Sequence, residues 1–294
     1  MFRKFFFIVN PAAGGGRKLS FIPEIQSFCK SNNLDFEKVL TKEPKEATKI
    51  AHKAAQSHEV VVAVGGDGTI SEVAAGIYDT SAVLGILPTG SGNDFAPMVG
   101  VPKNLKKALQ ALINGRVRHV DLGRVNGEYI FVNGMGVGFD GEAATRVRKF
   151  LKYLPGYPGY LAAVLRTLAT YKFRNAEIIL DDNITKNQKI LLVAVCNGTQ
   201  YGGGFKVTPT AKIDDGVFTV CMIDKMNRFY ALRNLPKINK GHHLNMPEVH
   251  TYTSTKVTIQ SESDIQAQLD GELLPLMKKF EIEILPGKLS ILSN

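Results

Sequence analysis

The sequence predicts an α/β protein, with a doubly wound domain over residues 1–120 followed by a β-sandwich domain over residues 121–294. Three observations carry that expectation. Up to about residue 120, short apolar runs alternate with longer amphipathic segments, the pattern of right-handed βαβ units. Beyond Val120 the chain turns β-rich, with runs of Val, Ile, Phe and Thr cut by turn residues. Three glycine-rich loops each follow a short apolar run of the first part, where open α/β sheets bind their ligands.

Taken in order, Phe5–Asn10, Val60–Val64 and Leu84–Leu87 read as buried parallel strands, because they are apolar without alternation. Helical spacing covers Leu19–Asn32, Lys45–Ser57, Thr69–Tyr78 and Asn104–Asn114. The domain boundary falls near Arg118–Asp121. Strands are then expected at Glu128–Asn133, Ala176–Leu180, Lys189–Cys196, Gly216–Ile223, Lys256–Gln260, Ile265–Leu269 and Phe280–Leu285, and helices near Gly141–Leu151, Tyr160–Tyr171 and Lys225–Lys240. Turn chemistry such as Asp181-Asp182-Asn183 and Asp214-Asp215-Gly216 separates several of them.

A length of 294 residues is enough for two domains that each bury a core, and 44% hydrophobic residues excludes a disordered or fibrous chain. Cys29, Cys196 and Cys221 lie far apart with no His at ligand spacing, so neither a zinc site nor a disulfide framework is expected, and a cytoplasmic location follows. The apolar run in MFRKFFFIVNP is too short for a signal sequence, and no run of about 18 apolar residues occurs elsewhere, so no transmembrane segment is expected.

The glycine loops point to phosphate. Val60-Val61-Val62-Ala63-Val64-Gly65-Gly66-Asp67-Gly68-Thr69-Ile70-Ser71-Glu72 runs from a strand through a glycine turn into a helix, so backbone N–H groups can approach phosphate oxygens while Thr69 caps the helix. A carboxylate there would repel polyphosphate unless a divalent cation intervened, which assigns Asp67 to a Mg²⁺–nucleotide region. A tight turn with an ordinary cap is the simpler alternative. Asn10-Pro11-Ala12-Ala13-Gly14 after the first strand and Pro88-Thr89-Gly90-Ser91-Gly92-Asn93-Asp94 after Leu87 would complete one crevice. The P-loop GxxxxGK[ST] is absent, as are the protein-kinase HRD and DFG signatures, and the GxGxxG at Gly136, Gly138 and Gly141 lacks the acid expected about 20 residues on.

With these stretches in view, VNPAAGGGR, VAVGGDGTISEV, LGILPTGSGNDFA, HVDLG, VNGMGVGFDGE, VCNGTQYGGGFKVTPTAKIDDGVFTV and QLDGE, the chain resembles the soluble bacterial diacylglycerol-kinase-like lipid kinases, whose catalytic domain is shared with sphingosine and ceramide kinases. Ala13 departs from the family's frequent Ser. The resemblance implies transfer of the γ-phosphate of Mg-ATP to a lipid hydroxyl, diacylglycerol in the first instance, with ATP and Mg²⁺ as cofactors. It implies that Asn10, Pro11, Ala12, Ala13, Gly14, Thr41, Gly65, Gly66, Asp67, Gly68, Thr69, Ile70, Ser71, Glu72 and Ser91 line the ATP site. It implies an acidic cluster of Asp67, Asp94 and Asp121 that organises Mg²⁺ and water, and Glu272 as general base. A structural Mg²⁺ held by the main-chain oxygens of Lys212 and Val217 and the side chain of Asp215 is also implied. From spacing alone, Asp270-Gly271-Glu272 reads first as a plain hairpin turn with solvated acids, a reading that only the family resemblance reverses, and Asp214-Asp215-Gly216 reads equally as a β-turn.

Charge is the remaining signal. With 36 Lys+Arg against 27 Asp+Glu the chain carries +9, and from Ala143 to Ala176 it has seven basic residues and no acid: Arg146, Arg148, Lys149, Lys152, Arg166, Lys172 and Arg174. Phe150, Tyr153, Leu154, Tyr157, Tyr160 and Leu161 are interleaved with them. Residues 143–176 are therefore expected to rest peripherally on an anionic membrane at its inner face, where the lipid substrate lies. A solvated face is the plain alternative, and no nucleic-acid module is visible. Edge strands of the second domain could pair two copies into a homodimer. An NAD kinase-like enzyme acting on a soluble substrate, or a catalytically silent nucleotide sensor, remain the competing functions.

Overall fold

The computed structural model describes residues 2, 4–13, 21–151, 153–154 and 157–294, and divides into two compact units. Unit 1 comprises residues up to Leu122 together with Leu285–Asn294, and unit 2 comprises Gly123–Ile284. The last ten residues thus belong to unit 1, whereas the sequence reading places them in the second domain.

Unit 1 is a parallel α/β sheet in the order β2-β1-β3-β4, followed by the end of β15 (Met277–Ser293). Strands β1 (Lys4–Val9), β3 (Val60–Gly65) and β4 (Val83–Pro88) are almost wholly buried. Helices α1 (Ile22–Ser31), α2 (Glu46–Ala54) and α3 (Asp67–Ile77) cross between them. Strand β2 (Asp35–Leu40), unforeseen from sequence, lies at the sheet edge with an exposed, polar face and so carries no apolar run. The chain moves one way from β1 to β2 and the other way from β1's opposite side to β3 and β4, so β1 and β3 flank a topological switch point. Right-handed crossovers then place α1 on one face and α2 and α3 on the other. There α2 and α3 pack closely: a Cβ on Gly76 would lie 2.4 Å from the Thr48 carbonyl oxygen. The short α4 (Phe95–Met98), α5 (Leu105–Asn114), whose N-cap Asn104 accepts from the Lys107 N–H, and β5 (Arg116–Val125) complete the run into unit 2.

Unit 2 is a sandwich. It contains β6 (Tyr129–Phe131), β7 (Gly134–Gly138), α6 (Phe139–Phe150), α7 (Tyr157–Thr170), β8 (Arg174–Leu180), β9 (Ile184–Cys196), β10 (Phe218–Asp224), α8 (Arg228–Lys240), β11 (Val249–Ser254), β12 (Lys256–Ile265), β13 (Ala267–Leu269), β14 (Glu272–Leu273) and the first half of β15 (Met277–Ser293). One layer runs β15-β12-β8-β9, and the other β14-β13-β7-β9-β10-β11, with long β9 pairing to β8 early and to β7 and β10 late. The core lies between them, with Ile178, Val193, Val195, Val220, Val257 and Phe280 all fully buried. Two-residue alternation sends these side chains inward. Glycine-rich β7 and edge strand β11 were not legible as strands.

Candidate active site

In unit 1 the loops leaving β1, β3 and β4 meet at the switch point, the place where doubly wound sheets bind ligands. The Asn10 N–H donates to the Val64 carbonyl (3.0 Å), and the Thr89 and Gly90 N–H groups both donate to the Gly65 carbonyl (2.8 and 3.1 Å). Side chains tighten the junction: Asn10 Nδ2 donates to Thr69 Oγ1 at 3.0 Å, and Asn10 Oδ1 accepts from the Ala12 N–H. Thr69 therefore does not cap the helix as expected. The N-cap is Gly66, and no side chain bonds to it.

Between β3 and β4 the two loops touch backbone to backbone. A Cβ on Gly90 would stand 2.4 Å from Gly66 Cα and 2.6 Å from Asn93 Oδ1. Buried Asn93, at φ 53°, holds this loop by accepting from the Gly90 N–H (2.8 Å) and donating to the Gly90 carbonyl (2.8 Å). This is a cradle that side chains would fill, which suits a phosphate held by main-chain N–H groups. Thr89 Oγ1 is buried there without a hydrogen-bond partner in the structure, and sequence reasoning did not single it out.

Other expected ATP residues take various places. Pro11, Ala13 and Thr41 are half-buried, Ala12 and Ser91 exposed, and Gly66, Asp67, Gly68 and Ser71 half-buried. Gly14 lies outside the described residues. The Thr41 N–H donates to the Val9 carbonyl, which puts it at the same sheet edge. Ile70 is fully buried, so only its main chain is available. Glu72 accepts from the N–H groups of Lys45 and Ala47, both 3.2 Å, and so anchors the start of α2.

Asp67 Oδ1 accepts from the Phe95 N–H at 3.0 Å, fastening α3 to α4. Its Oδ2 and that of Asp94 lie 3.2 and 3.8 Å from where a Cβ on Gly92 would be. Two hard carboxylate oxygens beside a phosphate cradle are a fitting donor set for Mg²⁺. Asp121 does not complete it: it is buried on β5, where its Oδ1 accepts from the Gly287 N–H of β15 at 2.7 Å. Among the described residues, no three Asp, Glu, His or Cys side chains form a metal ligand group. The expected cluster of Asp67, Asp94 and Asp121 is therefore not gathered into one ligand group among the described residues.

In unit 2, Asp270 and Gly271 form the two-residue turn between β13 and β14, both with positive φ (46° and 88°), as a type I′ hairpin requires. Asp270 is structural, accepting from the N–H groups of Val132 (2.8 Å), Asn133 (3.1 Å) and Gly134 (2.9 Å). Glu272 on β14 is not desolvated, as a base was expected to be. Its side chain is 47% exposed and Oε2 accepts from Arg148 at 2.7 Å, an ion pair that sequence reading missed because its members are 124 positions apart. Lys212 and Asp215 are exposed, and Val217 is half-buried. Asp215 Oδ1 accepts from the Val217 N–H at 3.4 Å, so the turn closes on its own side chain.

A phosphate cradle at the switch point of a doubly wound sheet, in a chain whose remainder is a β-sandwich, defines the nucleotide-using kinases of the diacylglycerol kinase and NAD kinase type. Residues 4–125 match the diacylglycerol kinase catalytic domain, and residues 133–293 match the YegS C-terminal NAD kinase beta sandwich-like domain. The chain belongs to the diacylglycerol kinase/YegS lipid kinase family. It is 32% identical over 231 residues to the diacylglycerol kinase of Bacillus subtilis (strain 168), covering 77% of this chain and 76% of that one. It is 32% identical over 280 residues to a probable lipid kinase, YegS-like, of Klebsiella pneumoniae (strain 342), covering 94% and 92%. A crystal structure of a candidate diacylglycerol kinase from Bacillus anthracis str. Sterne superposes with a TM-score of 0.83 at 27% identity over 100% of this chain and 98% of that one. Yeast NADH kinase shares the fold alone, with a TM-score of 0.57 at 10% identity, covering 100% of this chain and 84% of that one.

Proposed function

We propose that the protein transfers the γ-phosphate of Mg-ATP to the hydroxyl of a membrane lipid, with diacylglycerol as acceptor and phosphatidic acid as product. The observation that carries this is the Gly66–Gly90 contact at the switch point, beside which the first-turn N–H groups of α3 have no side-chain cap and so suit phosphate oxygens. The names of the relatives support a lipid as acceptor.

In this reading the acceptor oxygen forms a bond to the γ-phosphorus, the bond to the β,γ-bridging oxygen breaks, and ADP leaves. The loops after β1, β3 and β4 orient the phosphates, work that supplies much of the rate in phosphoryl transfer. Asp67 and Asp94 are the side chains that would hold Mg²⁺, which when bound would neutralise phosphate charge. Glu272 takes the proton of the attacking hydroxyl, while Arg148 fixes the orientation of its carboxylate.

The acceptor is reached at an anionic bilayer surface. Lys149, Arg166 and Lys172 are exposed, together with Tyr153 (88%) and Leu154. Arg146 and Arg148 contribute less net charge than the sequence suggests, because each pairs with an acid, Glu142 at 3.5 Å and Glu272 at 2.7 Å. Lys152 lies outside the described residues. No helix among the described residues is long and apolar enough to cross a membrane.

Radiolabelled ATP with a panel of lipids in mixed micelles, and NAD in a parallel tube, tests the reading. Label should enter a diacyl or monoacyl glycerol. Label in NAD alone, or in no acceptor, would overturn it.

A further inference from the structure

The acid-free run of residues 143–176 does not stay together in the fold. Arg148 turns to Glu272, and Arg166 and Lys172 are exposed, but Arg146, Lys149 and Arg174 gather at one pocket of unit 2. Its wall combines one face of α6 with the start of β8, the end of β12 and Leu276 just before β15. The volume is about 280 Å³, at the small end of the roughly 300–1,000 Å³ of ligand sites, and so suits a compact polar group.

Tyr171 forms the floor. It is 1% exposed, and its ring packs edge to face with both Phe139 and Phe173, at centroid distances of 5.9 and 5.6 Å. The main chain is held as well: the Tyr171 N–H donates to the Thr167 carbonyl at 2.7 Å, and the Tyr171 carbonyl accepts from Arg228 at 3.0 Å. Only the hydroxyl lacks a partner. Buried polar atoms are normally hydrogen-bonded, yet Tyr171 Oη bonds to no described residue. Gly138, in the pocket wall, shows where the hydroxyl points, since a Cβ there would stand 2.7 Å from Oη. Burial holds the phenol well above its ordinary range, with Glu142 adding to the rise and the Arg174 guanidinium opposing it, so the hydroxyl keeps its proton and can donate.

Around that hydroxyl the wall carries three basic side chains against two acids, Glu142 and Asp264, a surplus of 3 − 2 = +1. Arg146 lies 3.5 Å from Glu142, one turn away on α6, whereas no described acid pairs with Lys149 or Arg174. Asp264 is exposed. The free groups are therefore donors: a phenol hydroxyl, an ammonium and a guanidinium fork that matches planar pairs of oxyanion oxygens. A phosphate group offers them more acceptor oxygens, and more charge, than a carboxylate does.

From the orphaned hydroxyl, the packed ring that carries it and the converging basic side chains, we propose that this pocket binds one terminal phosphate group, with Tyr171 donating at the floor and Arg146, Lys149 and Arg174 neutralising charge at the wall. The phosphate is that of a free anion or of a lipid headgroup, which present the same oxygens. A basic surface attracts anions without fixed stoichiometry, whereas this pocket takes a single one. None of its residues belongs to the nucleotide cradle or to the Arg148–Glu272 pair, so the site does not rest on the function proposed above.

Calorimetric titration of the full chain with inorganic phosphate and with sn-glycerol 3-phosphate, each with and without excess Mg-ADP, tests the site. One saturable site per chain that Mg-ADP does not displace is expected, with a Kd of about 1 mM or tighter. Tyr171→Phe removes only the orphaned hydroxyl, so it should melt at or above the wild-type temperature while weakening the anion about tenfold. Arg174→Gln should weaken it at least as much. Because Tyr171→Phe leaves every charge in place, its effect separates the pocket from general attraction to a basic surface. Absence of saturable binding, binding that Mg-ADP abolishes, or unchanged affinity in folded Tyr171→Phe overturns the proposal. Sedimentation with phosphatidylcholine vesicles, with and without phosphatidic acid, then distinguishes the sources. Phosphatidic-acid-dependent binding that Tyr171→Phe weakens assigns the site to a lipid headgroup, and vesicle binding that it leaves unchanged, beside weakened inorganic phosphate, assigns it to a free anion.

Discussion

Replacing Gly90 by alanine tests the phosphate cradle most directly. Gly90 has no positive φ, so alanine is compatible with its backbone and any effect comes from contact alone. The added Cβ would sit 2.4 Å from Gly66 Cα and 2.6 Å from Asn93 Oδ1, whereas ordinary contacts begin at 3.4 Å. Neither neighbour is a mobile side-chain tip. Gly66 is the N-cap of α3, and Asn93 Oδ1 is held by the Gly90 N–H itself. The two loops must therefore separate by about 1 Å, and a displacement of that size in a reacting geometry costs about 10²-fold in rate. The overpacking should also cost about 1–3 kcal/mol of stability, a drop of several degrees in melting temperature. Calorimetric titration with Mg-ADP should show affinity at least tenfold weaker, and turnover of a lipid acceptor should fall about a hundredfold. A variant that binds Mg-ADP within twofold of wild type and turns over at more than a third of its rate would refute the cradle.

Other expectations follow from the same contacts. Asp67→Asn keeps an acceptor for the Phe95 N–H, so it should melt within a few degrees of wild type yet lose at least two decades of turnover, and activity above a tenth would remove Asp67 from the site. Glu272→Gln should leave Mg-ADP affinity unchanged and slow transfer by about 10² to 10⁴. Arg148→Ala should slow it less, and the double variant should be no slower than Glu272→Gln alone; additive losses would mean that Arg148 does not act through Glu272. Burial raises the Asp140 carboxyl to about 6 against the bonding of the Tyr201 hydroxyl, so the folded state binds the proton more tightly than the unfolded chain. Stability from this group is full below about pH 4 and declines as pH rises through about 6, by on the order of 3 kcal/mol, and Asp140→Asn should flatten that part of a melting-temperature profile. An unchanged slope would show that Asp140 is not desolvated. Lys149→Glu with Arg166→Glu, which spares the Arg148–Glu272 pair, should reduce sedimentation with anionic vesicles at low salt and not in high salt; equal sedimentation of both proteins at low salt returns this face to simple solvation.

The sequence by itself determined the elements whose signal is local. Strands β3 and β4 are buried on both faces and so read as unbroken apolar runs, and the glycine loops after them are recognisable because phosphate binding needs bare backbone within a few consecutive residues. The motifs carrying the family resemblance are of this kind. What tertiary structure decided were the partners of side chains far apart in the chain. Edge strand β2 has one exposed face and no apolar run, so only its pairing with β1 reveals it. Asp121 is expected from the sequence in an acidic cluster, and only the fold shows that the Gly287 N–H, 166 positions away, donates to it. Asp270 and Glu272, one residue apart from a shared glycine, part company because one is clamped by three backbone N–H groups and the other reaches Arg148. The gathering of Arg146, Lys149 and Arg174 about Tyr171 was equally hidden, since a basic run tells the charge its residues carry but not which of them share a pocket. Periodicity is written in neighbouring residues, while hydrogen bonds and cavities depend on which distant segments the fold brings within about 3 Å, and a single sequence does not encode that distance.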